Sequence, residues 1–401
     1  MKGWETKSLG EVCHFQGGSQ PPKAVFSNVY KEDHIRLIQI RDYKSDNHIV
    51  YIPKDKARRF CSKDDVMIGR YGPPVFQILR GLEGTYNVAL MKATPDESQL
   101  TKDYLFYFLK SPKIQQYIIN LSARAAGQSG LNKATIEPYP IPVHPLAEQK
   151  RIVAILDEAY EGIDSAIANT EKNLANAREL FEGYLNAIFT RKGNDWRDLT
   201  LQEISVKFSR GKSKHRPRGD QKLYGGKYPF IQTGDIGNSK HRIIEYSQTY
   251  NEFGLAQSEL WPKGTVCIAI VGVNIAETAV LGFDACFPDS VIGIVVNSDI
   301  ASSDYVEYLL QFFKSEIKAK GKGTARENIY MCTFANERFP FPDLETQKAI
   351  ACQLDKLSFQ SERLEDVYQQ KLAALNELKQ SILQKAFSGE LTAEVGDVVV
   401  D

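Results

Sequence analysis

Apolar and small residues recur along two long, proline-free stretches in alternating steps of three and four. In the first they are Ile152, Leu156, Ala159, Ile163, Ile167, Thr170, Leu174, Ala177, Phe181, Tyr184 and Ile188, a heptad seam. In the second they are Ile350, Leu354, Leu357, Leu364, Tyr368, Leu372, Leu375, Leu378, Ile382 and Phe387, and Ser361 falls where the seam expects an apolar residue. The spacing predicts two helices far longer than the three or four turns of an ordinary globular helix. Gly162 and Gly183 interrupt the first; each costs about 1 kcal/mol relative to Ala unless another helix approaches closely.

The two stretches open alike. Leu146-Ala147-Glu148-Gln149-Lys150-Arg151-Ile152 leads to Leu156-Asp157, and Leu344-Glu345-Thr346-Gln347-Lys348-Ala349-Ile350 leads to Leu354-Asp355. A repeat this long points to duplicated domains, not to a solenoid. The expected partition is residues 1–145 and 192–343 as two domains, 146–191 and 344–388 as long helices, and 389–401 as an acidic tail.

Shorter patterns repeat inside the halves. Each begins with a Trp, then Leu and Glu: Trp4, Leu9-Gly10-Glu11-Val12 and Trp196, Leu201-Gln202-Glu203-Ile204. Turn-rich loops follow, 16–23 and 209–218. Paired β-type runs come next: Leu37–Asp42 with Phe230–Asp235, and Lys63–Gly72 with Lys263–Gly272. Amphipathic helices at Asp103–Leu109 and Asp304–Leu310 precede Gly-containing loops and the Pro140/Pro142 and Pro340/Pro342 steps, which direct the chain into each long helix. Gly193 and Gly389 stand where left-handed terminators belong. The fold class expected is mixed α/β, two repeated domains separated by two long antiparallel coiled-coil helices.

With 401 residues, 42% hydrophobic and 25% charged, the chain has the composition of an ordinary soluble protein. It holds no apolar run long enough for a membrane span, and its N-terminus does not read as a signal peptide. Six scattered cysteines fit free thiols in a cytoplasmic chain better than disulfides or zinc. The net charge of zero hides an uneven distribution. Residues 1–145 hold 20 Lys+Arg against 14 Asp+Glu, residues 191–343 hold 20 against 18, and the first long helix holds 4 against 8. A neutral total can therefore carry basic globular surfaces.

The repeated order of Trp, Leu-x-Glu, polar loop, α/β domain, Pro-x-Pro, Gln-Lys-x-Ile, Leu-Asp and long helix resembles the specificity (S) subunit of type I restriction–modification enzymes. The closing Leu383-Gln384-Lys385-Ala386-Phe387-Ser388-Gly389 adds to the match, which covers essentially the whole chain. The resemblance implies that each domain is a target-recognition domain reading one half of a split DNA sequence. It implies that the helices pack antiparallel as a spacer, give pseudo-twofold symmetry, and dock methyltransferase (M) subunits, with two M subunits and restriction (R) subunits as expected partners. S-adenosylmethionine, ATP and Mg are then implied for the partners and no cofactor for this chain. A helix of about 40 residues spans roughly 60 Å, or on the order of 15–18 base pairs.

Candidate DNA contacts follow from charge and position. The sharpest is the run Lys207, Arg210, Lys212, Lys214, Arg216 and Arg218, which contains no acid; it reads as phosphate contact with one Arg at a guanine edge, or as a solvated loop. The equivalent segment of the first half offers Gln16, Gln20 and Lys23. A second pair of loops offers Lys318, Lys320, Lys322 and Arg326, paralleled by Arg124, Gln128 and Lys133; a helix C-terminus with favourable lysines is the bland alternative. Arg70 and Tyr71 end a strand that could reach a groove. Gln149, Lys150, Gln347 and Lys348 are candidates for docking a partner subunit, against a solvated helix face.

Catalytic signatures are missing. Gly72-Pro73-Pro74-Val75 lacks the acid or amide and the aromatic of an amino-methyltransferase motif. Val206 stands where a phosphate-binding loop ending in Gly211-Lys212-Ser213 needs its first glycine. The histidines lack metal-ligand spacing. The chain reads as a non-catalytic, DNA-binding subunit; the rival reading is a duplicated coiled-coil interaction scaffold without DNA function.

Overall fold

A computed structural model describes residues 4–72, 74–124, 131–191, 193, 195–321 and 328–391, apart from the side chains of 123 and 124. The first half contributes β1 (Glu5–Ser8), α1 (Leu9–Val12), β2 (Cys13–Gly17), β3 (His34–Ile38), β4 (Tyr51–Pro53), β5 (Phe60–Cys61), β6 (Val66–Gly69), β7 (Gln77–Leu79), β8 (Gly84–Tyr86) and β9 (Leu90–Pro95). Helices α2 (Lys102–Lys110), α3 (Pro112–Arg124) and α4 (Lys133–Ile136), strand β10 (Pro140–Val143) and the long helix α5 (Leu146–Thr190) follow. The second half runs β11 (Arg197–Leu199), β12 (Ser205–Arg210), β13 (Tyr224–Phe230), α6 (Thr233–Asn238), β14 (Arg242–Ile243), β15 (Gln248–Tyr250), α7 (Glu252–Ala256), β16 (Leu260–Trp261), β17 (Val266–Ala269) and β18 (Thr278–Leu281). It ends with β19 (Ala285–Cys286), β20 (Val291–Val296), α8 (Ser303–Phe312), α9 (Lys314–Lys320), β21 (Phe339–Phe341) and the long helix α10 (Leu344–Ser388).

The topology repeats strand for strand. Sheet β2-β9-β6-β7 corresponds to β12-β20-β17-β18, which gains β14 at its edge, and β4-β3-β8-β5 corresponds to β15-β13-β19-β16. The ribbons β1-β10 and β11-β21 are two-stranded and antiparallel, which suits prolines that cannot donate to a wider ladder. The Leu-x-Glu repeat is a capped turn, which forms helix α1 in the first half and a turn at 201–204 in the second: Ser8 N and Oγ donate to Glu11 Oε2 at 2.6 and 2.7 Å, and Thr200 N donates to Glu203 Oε2 at 2.7 Å. This is the capping-box pattern Ser/Thr-x-x-Glu.

The chain divides into two compact units, residues 1–171 with 370–401, and residues 172–369. In the first, Leu9, Tyr104, Leu105 and Ile114 share a core with Ile152, Leu156, Leu383 and Ala386. In the second, Leu201, Tyr305, Leu309 and Phe341 share one with Leu185, Phe189, Ile350 and Leu354. Each fully buried large apolar side chain contributes about 1.5–3 kcal/mol, so in each unit the α/β domain and its helix segments stabilise one another.

The long helices end near the expected positions, and Gly389 takes φ +84° directly after α10. Their seams need correction in detail. Tyr160, Leu185 and Phe189 are buried, while Ala159 is half-buried and Tyr184, Leu364 and Leu378 are exposed. A straight helix has 3.6 residues per turn and drifts about 20° per heptad from a strict 3.5 repeat, which shifts the buried stripe by a residue near the ends. Ser361 fills its place in the seam by donating Oγ to the Ala177 carbonyl at 2.5 Å. Among the described residues nothing lies within 4 Å of a Cβ built on Gly162 or Gly183, so no close helix approach among them offsets their cost.

Candidate nucleic-acid interface

At one end of the first domain's β2-β9-β6-β7 sheet, four segments converge. Gly18 N donates to Leu90 O, Ser19 N to Tyr86 O, Arg70 N to Ala89 O and Leu131 N to Arg70 O, at 2.9–3.1 Å. A Cβ at Gly18 would fall 1.9 Å from the Asn87 carbonyl oxygen, so only glycine permits the crossing. Gln16, Gln20, the Arg70-Tyr71 strand end and the segment following residue 130 are thereby brought together. The Arg70 guanidinium does not point freely outward: Nε donates to Leu131 O at 2.7 Å and Nη1 to Val88 O at 3.1 Å. These two donors fasten the site together around Arg70, the strand-end residue expected to reach a groove. Gln16 is half-buried and its Oε1 accepts from Tyr86 Oη; Gln20, Lys23 and Tyr71 are exposed. Lys133 is exposed beside Glu137 at 3.7 Å.

The second domain is built hydrogen bond for hydrogen bond the same way. Gly211 N donates to Val291 O, Lys212 N to Phe287 O, Ile270 N to Ser290 O and Ile329 N to Ile270 O, at 2.9–3.1 Å. Here the bracing arginine comes from another strand. Arg210 occupies the position of Gly17, and its Nε donates to the Asp289 carbonyl at 2.6 Å, the counterpart of Val88. A side chain on Gly17 would meet Arg70 Nη1 at 3.7 Å, so either strand can deliver a guanidinium to the one turn, and Ile270 replaces Arg70.

The basic run of the second domain divides into held and free cations. Lys207, expected as a phosphate contact, pairs with Glu259 at 2.5 Å and lies 3.7 Å over the Trp261 ring. Lys212 reaches the same carboxylate at 2.9 Å. Burial works against ionised Glu259, but Lys207 and Lys212 outweigh it and hold its carboxyl below the usual range. Arg218 pairs with Asp289. Arg216 is exposed and donates to the Ser213 and His215 carbonyls, and Lys214 is exposed with no acid partner among the described residues. Lys320 pairs with Glu337 at 2.6 Å. Lys318 lines a cavity of about 820 Å³ together with Arg178, Lys240 and Glu362. The side chain of Arg124, and Gln128, Lys322 and Arg326, lie outside the described residues.

These two sheet ends can be set beside known proteins. The family described as Type I restriction modification DNA specificity domain matches residues 1–175 and again 193–373. The chain belongs to that family. Among curated relatives it is 24% identical to the type I restriction enzyme StySPI specificity subunit of Salmonella potsdam, over 98% of this chain and 90% of the relative. It is likewise 24% identical to the EcoKI specificity subunit of Escherichia coli strain K12, over the same shares. Among solved structures, a chain from work on complex assembly and conformational transition of the type I R-M system has a TM-score of 0.76 at 20% identity, covering 98% of this chain and 99% of its own. The HsdS subunit from Thermoanaerobacter tengcongensis has a TM-score of 0.62 at 20% identity, with 97% and 98% covered. Both share the fold.

In this specificity-domain chain, the expected docking glutamines are not at the surface. Gln149 and Gln347 are fully buried. Gln149 Oε1 accepts from Thr101 N, and its Nε2 donates to Gln99 O and His144 O. Gln347 makes the same three bonds to Ser302 N, Ile300 O and Pro342 O. A buried backbone group left unpaired is costly, which explains the repeat without a partner. Lys150 and Lys348 are exposed, and Lys348 pairs with Glu345 at 3.2 Å. The repeated Leu-Asp step has a similar role, as Tyr107 Oη donates to Asp157 at 2.5 Å and Tyr308 Oη to Asp355 at 2.7 Å.

The most concentrated titratable cluster lies in the second unit. His241 Nδ1 contacts buried Glu307, His241 Nε2 lies 3.2 Å from Asp304, and the imidazole stacks on Tyr308. Thr278 and Gln311 complete the hydrogen bonds of Glu307. Its groups satisfy one another, so it reads as internal bracing. Among the described residues no group of His, Cys, Asp and Glu is arranged to hold a metal, and no helix is long and apolar enough to cross a membrane. Sequence reasoning passed over the hairpin tip between β17 and β18, where Val273 is 92% exposed.

Proposed function

We propose that this chain reads a bipartite, asymmetric sequence in double-stranded DNA, one half-site per domain, and docks methyltransferase subunits along α5 and α10. The observation that carries this reading is the pair of sheet ends, which share one backbone hydrogen-bond pattern yet present different side chains. One scaffold with two furnishings is what reading two unlike half-sites requires. Docking is supported by apolar side chains left exposed on the long helices, including Leu180 on α5 and Phe359 and Val367 on α10. On this reading the chain is non-catalytic and cytoplasmic. Two M subunits and further R subunits then carry the chemistry, with S-adenosylmethionine, ATP and Mg held by those partners.

The direct test is the salt dependence of DNA binding by the full chain and by a Lys212→Ala/Lys214→Ala/Arg216→Ala variant. Every phosphate that the protein no longer neutralises lowers the slope of log affinity against log salt by about 0.9. The variant is expected to bind more weakly with a shallower slope. Equal slopes would remove this loop from the interface, and a wild-type chain with no salt-dependent binding would favour the interaction scaffold.

A further inference from the structure

We propose that Val273 reads the 5-methyl group of a thymine in the major groove of the second domain's half-site; the inference rests on the DNA-reading function above. Val273 is 92% exposed, more than any other large apolar side chain among the described residues. Its exposure is not that of a loose loop. Ile275 N donates to Gly272 O, Glu277 N to Asn274 O and Ala276 N to Ala269 O, Ile275 and Ala276 are buried, and Val271 is bridged to Asn328. The tip is held by two left-handed residues, Gly272 at φ +76° and Ala276 at φ +67°. Such a conformation is rare for a residue with a side chain and persists where the surroundings impose it.

The first domain repeats this frame at a constant offset. Gly72 takes φ +92° and Phe76 φ +68°, and Phe76 N donates to Gly69 O. The strained hairpin frame is thus kept while the residues between its two fixed points differ, Pro74 corresponding to Asn274. Three residues before Val273, Ile270 N is bonded to Ser290 O, next to Asp289, to which Arg210 and Arg218 are fastened. The tip therefore leaves the sheet beside the basic run. A valine side chain has neither donor nor acceptor, so it cannot hydrogen-bond phosphate or read a polar base edge. The apolar group that DNA displays in the major groove is the thymine methyl.

The experiment first lets the full wild-type chain select its site from a random duplex library. Thymines of that site are then replaced one at a time by deoxyuridine, which lacks the methyl group. Wild type and Val273→Ala, which at an exposed position should share one unfolding midpoint, are compared on every duplex. One substitution in the second half-site is expected to weaken wild type about three- to fivefold, roughly one methyl group's worth, and to leave Val273→Ala unchanged. The proposal is overturned if no substitution separates the two proteins, or if that half-site contains no A·T pair. It is also overturned if Val273→Ala binds every duplex as wild type does, in which case an apolar protein partner becomes the occupant to seek. A wild-type chain that selects no sequence would overturn the DNA-reading function itself.

Discussion

Gln149 and Gln347 each close three hydrogen bonds with one amide, joining the start of a long helix to the loop before α2 or α8. Gln149→Leu or Gln347→Leu should destabilise its own unit by about 2–4 kcal/mol, because buried backbone groups are left unpaired. Separate unfolding transitions would show it; unchanged stability would contradict the pinning role. Two histidines predict opposite pH behaviour. His144 is buried against the Trp4 and Tyr104 rings, and neither ring nitrogen has a hydrogen-bond partner among the described residues. Burial lowers its pKa, against a weaker opposite pull from Glu148. The unfolded chain then takes the proton first, so the first unit should lose stability as pH falls below about 6.5, and His144→Leu should flatten that loss. For His241, burial alone would lower the pKa, but hydrogen bonds to Asp304 and Glu307 outweigh it and push it up to about 9. Stability from this group is present below the unfolded value and is lost as pH rises through about 9. Melting temperature measured from pH 5 to 10 checks both signs.

At the scale of elements, the long helices were readable because their period is local, and so was the Gly389 terminator. The meaning of the repeated letters was less readable. Gln149, Asp157 and Glu11 recur in the second half as Gln347, Asp355 and Glu203, and repetition alone does not distinguish a pin from a partner contact. The structure resolves it through burial and hydrogen bonds that link residues tens of positions apart. The sheets were visible only in part: the runs 63–72 and 263–272 contain β6 and β17, whereas 37–42 and 230–235 leave their strands after Ile38 and Phe230 for a 3-10 turn at 40–43 and helix α6. Strands of two to seven residues pair across long separations, and no local pattern specifies that pairing. At the sheet ends the position of the basic run was legible, but the division between held and free cations was not, because Glu259 and Asp289 lie far along the chain. The helical glycines offer a check on the element itself. Gly162→Ala and Gly183→Ala have open space and should each stabilise by about 0.5–1 kcal/mol. A lower melting temperature would contradict their exposed placement. Stabilisation with loss of methyltransferase co-purification would place a partner against that face.

Over the whole molecule, the recurring theme is a duplicated frame with unlike surfaces. The Arg70 and Arg210 guanidiniums brace equivalent turns from different strands, so the frame tolerates exchange of the residues that build it. If each domain reads its own half-site, the domains should be exchangeable as cassettes with predictable results. The measurement that tests this most directly is single-molecule sequencing of adenine methylation in cells carrying this chain and its methyltransferase. It is repeated after residues 195–340 are replaced by the corresponding segment of another family member. A split motif is expected, of which only one half changes with the exchange. A motif that changes in both halves, or methylation that does not depend on this chain, would contradict it.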